Sequence, residues 1–238
     1  MNWNNYLLEE KAPYGSIAHL GILKGTVSGI YDLSEINDTI KILSLSTPVK
    51  KSKKKYTNFS SLLGNINIEA ISLDYLDEER ISVFSTLPNL KYLQISSSKQ
   101  DEIPDLGSLA SVEVLVLANL TRIQNIDFIK NMSNLKTVYI YGISNLYDLT
   151  PISHLINIEE LDIEHGKMSG TGKSIKSINP LESLRQLKYL RLALRIEDDS
   201  TNLKSLYGLQ KMQKIILLPR YMKSDFWEDL IRELPQLT

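Results

Sequence analysis

Val112-x-x-Leu115-x-Leu117, Leu135-x-x-Val138-x-Ile140 and Ile158-x-x-Leu161-x-Ile163 write one pattern three times between Val112 and Glu164, each copy beginning 23 residues after the last. A fixed period of that length means stacked supersecondary units that bury their apolar edges against one another, rather than a single globular core.

Outward from this stretch the pattern continues in both directions. Upstream it falls at Ile17, Leu20 and Ile22, at Ile40, Leu43 and Leu45, at Ile68, Ile71 and Leu73, and at Leu90, Leu93 and Ile95. Downstream it falls at Leu187, Leu190 and Leu192 and at Met212, Ile215 and Leu217, which makes nine copies spaced 22 to 29 residues apart. The last two apolar positions of each copy are two residues apart, so they share one face of a short strand. Between strands the period changes to three, as in Leu120, Ile123, Ile126, Ile129, Met132 and Leu135. That spacing predicts 3₁₀ or extended turns and a thin convex side, because an α-helical stripe needs threes and fours mixed.

The remaining composition excludes much. With 238 residues, 42% hydrophobic and net charge −1, the chain has material for one elongated domain and no global attraction to nucleic acid. It has no cysteine, hence no disulfide framework, thiol nucleophile or cysteine zinc site. Met1-Asn2-Trp3-Asn4-Asn5 does not open like a signal peptide, and no apolar run reaches membrane-spanning length. The expectation is a cytoplasmic monomer with no membrane or nucleic-acid partner and no cofactor; signal-independent secretion stays open. The domain divides into an N-terminal cap at 1–16, repeats at 17–223 and a closing helix at 224–238, where Phe226, Trp227, Leu230, Ile231 and Leu234 have helical spacing and Asp225 with Glu228 has capping-box form. The cap is expected to lie on the first repeat.

Leu-x-x-Leu-x-Leu followed by Ile/Leu-x-x-Leu-x-x-Leu at 22 to 23 residues resembles the leucine-rich repeat, in its short bacterial internalin-like form, from Ile17 to Leu218. The resemblance implies an α/β solenoid, a right-handed coil with one parallel sheet of about nine strands, whose concave face recognises other proteins. One departure stands out. Where the family carries asparagine, three residues after the last strand leucine, this chain has Gly25, Pro48, Leu76, Ser98, Leu120, Ile143, Gly166, Arg195 and Arg220. The side-chain ladder built at that position is therefore not expected.

Enzymatic chemistry finds little support. Gly166-Lys167-Met168-Ser169-Gly170-Thr171-Gly172-Lys173-Ser174 ends like a phosphate-binding loop, but its first glycine is one residue too early and Ile175-x-x-Ile178-Asn179-Pro180 follows instead of a helix. It reads as an insertion; a nucleotide-dependent switch is the alternative of a different class. Lys50-Lys51-Ser52-Lys53-Lys54-Lys55 reads as a solvated loop rising from the same rim. His19, His154 and His165 belong to different repeats and read as exposed structural residues without triad partners.

The outward strand positions are more informative. Copies six to eight present Thr137, Tyr139 and Tyr141, then Glu160, Asp162 and Glu164, then Tyr189, Arg191 and Ala193, whereas the first four offer mainly small groups such as Ser44, Ala70, Ser72 and Gln94, with Tyr92 the exception. At about 4.8 Å between strands, Asp162 should lie between Tyr139 and Arg191. Tyrosines beside carboxylates and an arginine have the composition of a binding hot spot. The expected partner-binding set is Tyr139, Tyr141, Glu160, Asp162, Glu164, Tyr189 and Arg191, pointing to water and engaging a protein with a basic surface. A metal held by the three carboxylates is disfavoured, since alternate residues on a strand do not converge. Within this class the chain reads as an intracellular inhibitor, for instance a toxin-immunity protein, or alternatively as a secreted effector engaging a host protein.

Overall fold

A computed structural model describes residues 3–7, 11, 15, 23–48, 50–165, 173–197 and 203–237. Its strands are β1 (Ile42–Leu45), β2 (Ala70–Leu73), β3 (Tyr92–Ser96), β4 (Val114–Ala118), β5 (Thr137–Tyr141), β6 (Glu160–Glu164), β7 (Tyr189–Ala193) and β8 (Lys214–Leu217). They form one parallel sheet in chain order, as a coil that advances by one strand per turn must. The second motif leucine runs straight across it: Leu43, Ile71, Leu93, Leu115, Val138, Leu161, Leu190 and Ile215 are consecutive register partners. This row and the next inward row are buried, so the repeat period fixes the register as well as the fold.

The copy at Ile17, Leu20 and Ile22 lies outside the described residues. The place beside Leu43 that the period assigns to Leu20 is taken by Val27, which makes an isolated parallel bridge to Leu43.

On the convex side the spacing of three is drawn in hydrogen bonds. The Ile129, Met132 and Leu135 amides donate to Ile126, Ile129 and Met132, and the Ile152, Leu155 and Ile158 amides to Leu149, Ile152 and Leu155. Each bond is of the i to i+3 type, so each apolar residue turns inward as its amide closes a 3₁₀ turn. The exception to the thin convex side is α1 (Glu78–Phe84), two turns long, started by Asp77 accepting from the Arg80 amide.

Two ladders tie successive coils together in place of the missing asparagines. On the rim before the strands, Asn89, Asn134 and Asn157 donate side-chain amides to the carbonyls of Ile66, Ala110 and Ser133. At the strand ends the ladder is made of backbone: the Ser97, Asn119 and Gly142 amides donate to Ala118, Tyr141 and Glu164. All three donors have positive φ. Gly142 could not become alanine cheaply, since a Cβ there would lie 2.7 Å from the Asn119 side chain.

At the other end α2 (Asp225–Glu233) closes the coil, with Leu230 buried and Phe226 and Trp227 packed on the core. The capping box expected of Asp225 and Glu228 does not start this helix. Ser224 is the N-cap, and its hydroxyl donates back to the Tyr221 carbonyl.

Candidate protein-binding face

The sheet puts the expected residues side by side. Tyr139 pairs in register with Asp162 and Asp162 with Arg191, while Thr137, Glu160 and Tyr189 form one flanking row and Tyr141, Glu164 and Ala193 the other. Arg191 reaches across to two of the three acids of the adjacent strand, donating to Asp162 at 2.9 Å and pairing with Glu164. The Tyr139 and Tyr141 rings lie nearly parallel, 6.3 Å apart.

The expectation that these side chains point to water is overturned for three of the seven. Tyr139, Asp162 and Tyr189 are only 2, 4 and 4% exposed. Described residues of the N-terminal segment lie against this face. Leu7 is buried in a cluster with Leu23, Ile42, Ala70, Tyr92, Val114, Val116 and Tyr139 on the concave face. The Trp3 ring sits 4.9 Å from that of Tyr92. The Tyr6 hydroxyl donates to Glu69 at 3.0 Å, and Lys11 forms an ion pair with Glu160 at 2.7 Å. Gly15 lines one small cavity together with Tyr139, Asp162 and Tyr189. Tyr141, Glu160, Glu164 and Arg191 remain partly exposed, and Ile216, the register partner of Arg191 on β8, is exposed.

Burial sets the electrostatics. It raises the Asp162 pKa to about 6, against the pull of Arg191, and the second carboxylate oxygen Oδ2 has no hydrogen-bond partner among the described residues. Burial also raises Tyr189 to about 12. Desolvation opposes the Arg191 charge, but Asp162 and Glu164 outweigh it and its pKa rises. Two of the three carboxylates thus grip a guanidinium, and the third holds Lys11. Among the described residues no group of three or more His, Asp or Glu is arranged to hold a metal ion.

The other candidates are scattered. His154 is exposed on a convex 3₁₀ turn, and His19 lies outside the described residues. His165 departs from its expected exposure: it is buried just beyond β6, hydrogen-bonded to the Ile143 backbone, and burial lowers its pKa. Gly166 to Gly172 lie outside the described residues; after them come an Ile175 bridge to Ile196 and a 3₁₀ turn at Asn179–Ser183. In the basic run, Lys50–Ser52 form a 3₁₀ turn and the Lys54 ammonium sits 4.8 Å from the centre of the Tyr31 ring.

One ordered feature was not anticipated. The residues just before the strands alternate in sign along the rim, as Lys41, Glu69, Lys91, Glu113, Lys136, Glu159 and Lys188, with ion pairs at 2.6 to 3.0 Å. Although burial works the other way, Lys136 and Lys91 hold the Glu113 pKa below its ordinary value. Listing that one position across the copies would have exposed the alternation in the sequence.

No family model and no curated protein matches the sequence. Solved structures do. An internalin of Listeria monocytogenes is similar over 90% of this chain and 64% of its own, at 18% identity and a TM-score of 0.52. A leucine-rich repeat protein of Leptospira interrogans is similar over 90% of this chain and 51% of its own, at 19% identity and a TM-score of 0.59. The chain therefore spans less than two thirds of either, and the likeness is one of fold. With its parallel sheet in chain order, its convex 3₁₀ turns and these two likenesses, the chain has the fold of a leucine-rich repeat solenoid.

Proposed function

We propose that the chain is a non-enzymatic module that binds another protein through the C-terminal half of its concave face. The observation that carries this is the register-locked set Tyr139, Tyr141, Asp162, Glu164 and Arg191, in which one guanidinium fixes two carboxylates on a sheet beside a pair of tyrosines. Groups already fixed by their neighbours lose little entropy on binding, and tyrosine supplies contact area with few torsions. Three carboxylates against Lys11 and Arg191 leave the patch net negative, which favours a partner with a basic surface. Fold likeness supports the class of function and does not choose the partner. An intracellular inhibitor of the toxin-immunity kind would be encoded beside its toxin, so genomic neighbourhood separates that role from a secreted effector.

The test uses residues that stay partly exposed, so that folding is spared. A partner captured from native lysate should lose about 1 to 3 kcal/mol of affinity to Tyr141→Ala, mainly by faster dissociation. Glu164→Lys should instead slow association, more at low salt than at high. A captured partner that binds the double variant as well as wild type moves the working surface to the rim carrying the two long insertions.

A further inference from the structure

The concave face already holds a ligand, and the ligand is this chain. Residues 3–7 and 11 contribute an aromatic ring on Tyr92, a leucine on the floor made by Ala70, Val114 and Val116, and a lysine on Glu160. Among the described residues the segment adds no strand and makes no bridge to the sheet. The Lys24 amide donates to the Tyr6 carbonyl, while Asn4 and Lys11 bond to each other within the segment. Apart from that one backbone bond to Lys24, side chains hold it down, and lifting it breaks no rung of the sheet ladder.

We propose that residues 3–7 and 11 are a displaceable internal occupant of the concave face, and that the face takes a partner-protein segment presenting the same groups in the same order: an aromatic ring, a buried aliphatic side chain, then a lysine or arginine about four residues on. The inference rests on the concave face being the working surface. The covered floor is apolar where an ordinary solvated sheet face would be polar, so it is shaped for an apolar side chain and not for water. Beyond Tyr92 the face stays open as a cavity of about 300 Å³ lined by Thr26, Ser28, Ser44, Ser72 and Gln94, room into which a longer segment can continue. Displacing Lys11 also uncovers Glu160, so the patch becomes more negative as the competitor arrives, and a basic segment is the one that gains. The internal occupant lowers the apparent affinity of every competitor by the fraction of time it is seated, and thereby sets a threshold for binding.

The composition makes the test direct, because the chain has two tryptophans and no cysteine. In a Trp227→Phe background Trp3 is the sole tryptophan reporter, and acrylamide quenching reads whether it is seated. The probe is a synthetic peptide of residues 1–15 carrying Phe in place of Trp3. Excess peptide added to the Trp227→Phe protein should displace the internal segment, shifting Trp3 emission to the red and raising its quenching. A Leu7→Ala/Lys11→Glu protein should show Trp3 quenched freely and should bind the peptide at least about tenfold more tightly than its parent does. Adding Glu160→Lys to that protein should abolish the gain. Trp3 that stays shielded at saturating peptide, equal peptide affinity for the two proteins, or a Leu7→Ala/Lys11→Glu chain that no longer folds would each overturn the proposal. Peptide exchange without any protein partner would uphold it and remove the proposed function. A partner that binds both proteins equally would do the reverse.

Discussion

Asp162 is where burial and charge meet most directly. Its carboxyl is 4% exposed, has Arg191 on one oxygen and no hydrogen-bond partner on the other among the described residues, and its pKa stands at about 6 against an ordinary 3.8. The folded state therefore holds this proton more tightly than the unfolded chain. Between pH 3.8 and about 6 folding binds protons, so the contribution of Asp162 to stability falls as pH rises through that window, by on the order of 2 to 3 kcal/mol in all. Buried His165 acts in the opposite direction, since its lowered pKa makes acidification below its ordinary value of 6.5 costly. The difference between wild type and Asp162→Asn isolates the aspartate. In urea unfolding at pH 4.5 and pH 7, the variant should gain on wild type at the higher pH, and an equal difference at both would show that Asp162 titrates normally. Leu161, the neighbour that points inward, is fully buried, and Leu161→Ala should cost about 2 to 5 kcal/mol in the same measurement. The inward leucine was legible from spacing alone, and so was the Tyr139, Asp162, Arg191 row. The burial of that row was not, because spacing reads the face of a strand and says nothing of a distant segment folded over it.

At the scale of elements, β4 shows what signal was available. Val114-Leu115-Val116-Leu117-Ala118 is apolar at every position, and every position is buried. A strand apolar on both faces belongs to a sheet covered on both sides, so this run marks the place where the N-terminal segment lies. The 3₁₀ turns were legible for a different reason: the period of three persists over many residues, which a single turn could not reveal. Helix α1 escaped because two turns give too few repeats for a period to show, although Asp77 before Glu78 and Glu79 has the chemistry of a helix start. Asp77 accepts the Arg80 amide and also pairs with the Arg80 guanidinium, which stacks on Phe59 at 4.4 Å and Tyr75 at 4.9 Å. Asp77→Ala should accordingly cost about 1 to 2 kcal/mol by thermal or urea unfolding, more than a cap alone because the arginine loses its anchor. A change below about 0.3 kcal/mol would mean that α1 is held by its apolar face and that its cap contributes nothing. The strand-end ladder was not legible because the asparagine position carries no side-chain tie, and the backbone amides of Ser97, Asn119 and Gly142, one residue earlier, perform it.

Across the whole molecule, a solenoid is a chain of nearest-neighbour contacts, in which each coil is stabilised by the one before and the one after. Such arrays lose cooperativity when one interface is weakened, and their ends unfold separately. The N-terminal segment changes that connectivity. Tyr6 bonds to Glu69 beside β2, Leu7 is buried in one cluster with residues of β1 to β5, and Lys11 joins Glu160 of β6 across a sequence separation of 149 residues. One short piece of chain thus bridges coils that otherwise meet only through their intermediates, and unfolding any of them must release it. Cooperativity should therefore depend on the bridge, which can be tested without touching the sheet. Trp3→Phe keeps an aromatic ring on Tyr92 and leaves Trp227, packed beside the last coils, as the sole tryptophan reporter. In that protein the urea curves read by Trp227 fluorescence and by far-ultraviolet circular dichroism should coincide, as one transition requires. Trp3→Ala with Lys11→Glu removes both ends of the bridge, and the two curves should then separate, with a smaller m-value for each because less surface is exposed in each step. Coincident curves in both proteins would mean that the inward leucine rows alone make the coil cooperative, and that the segment rests on the face without joining its two halves.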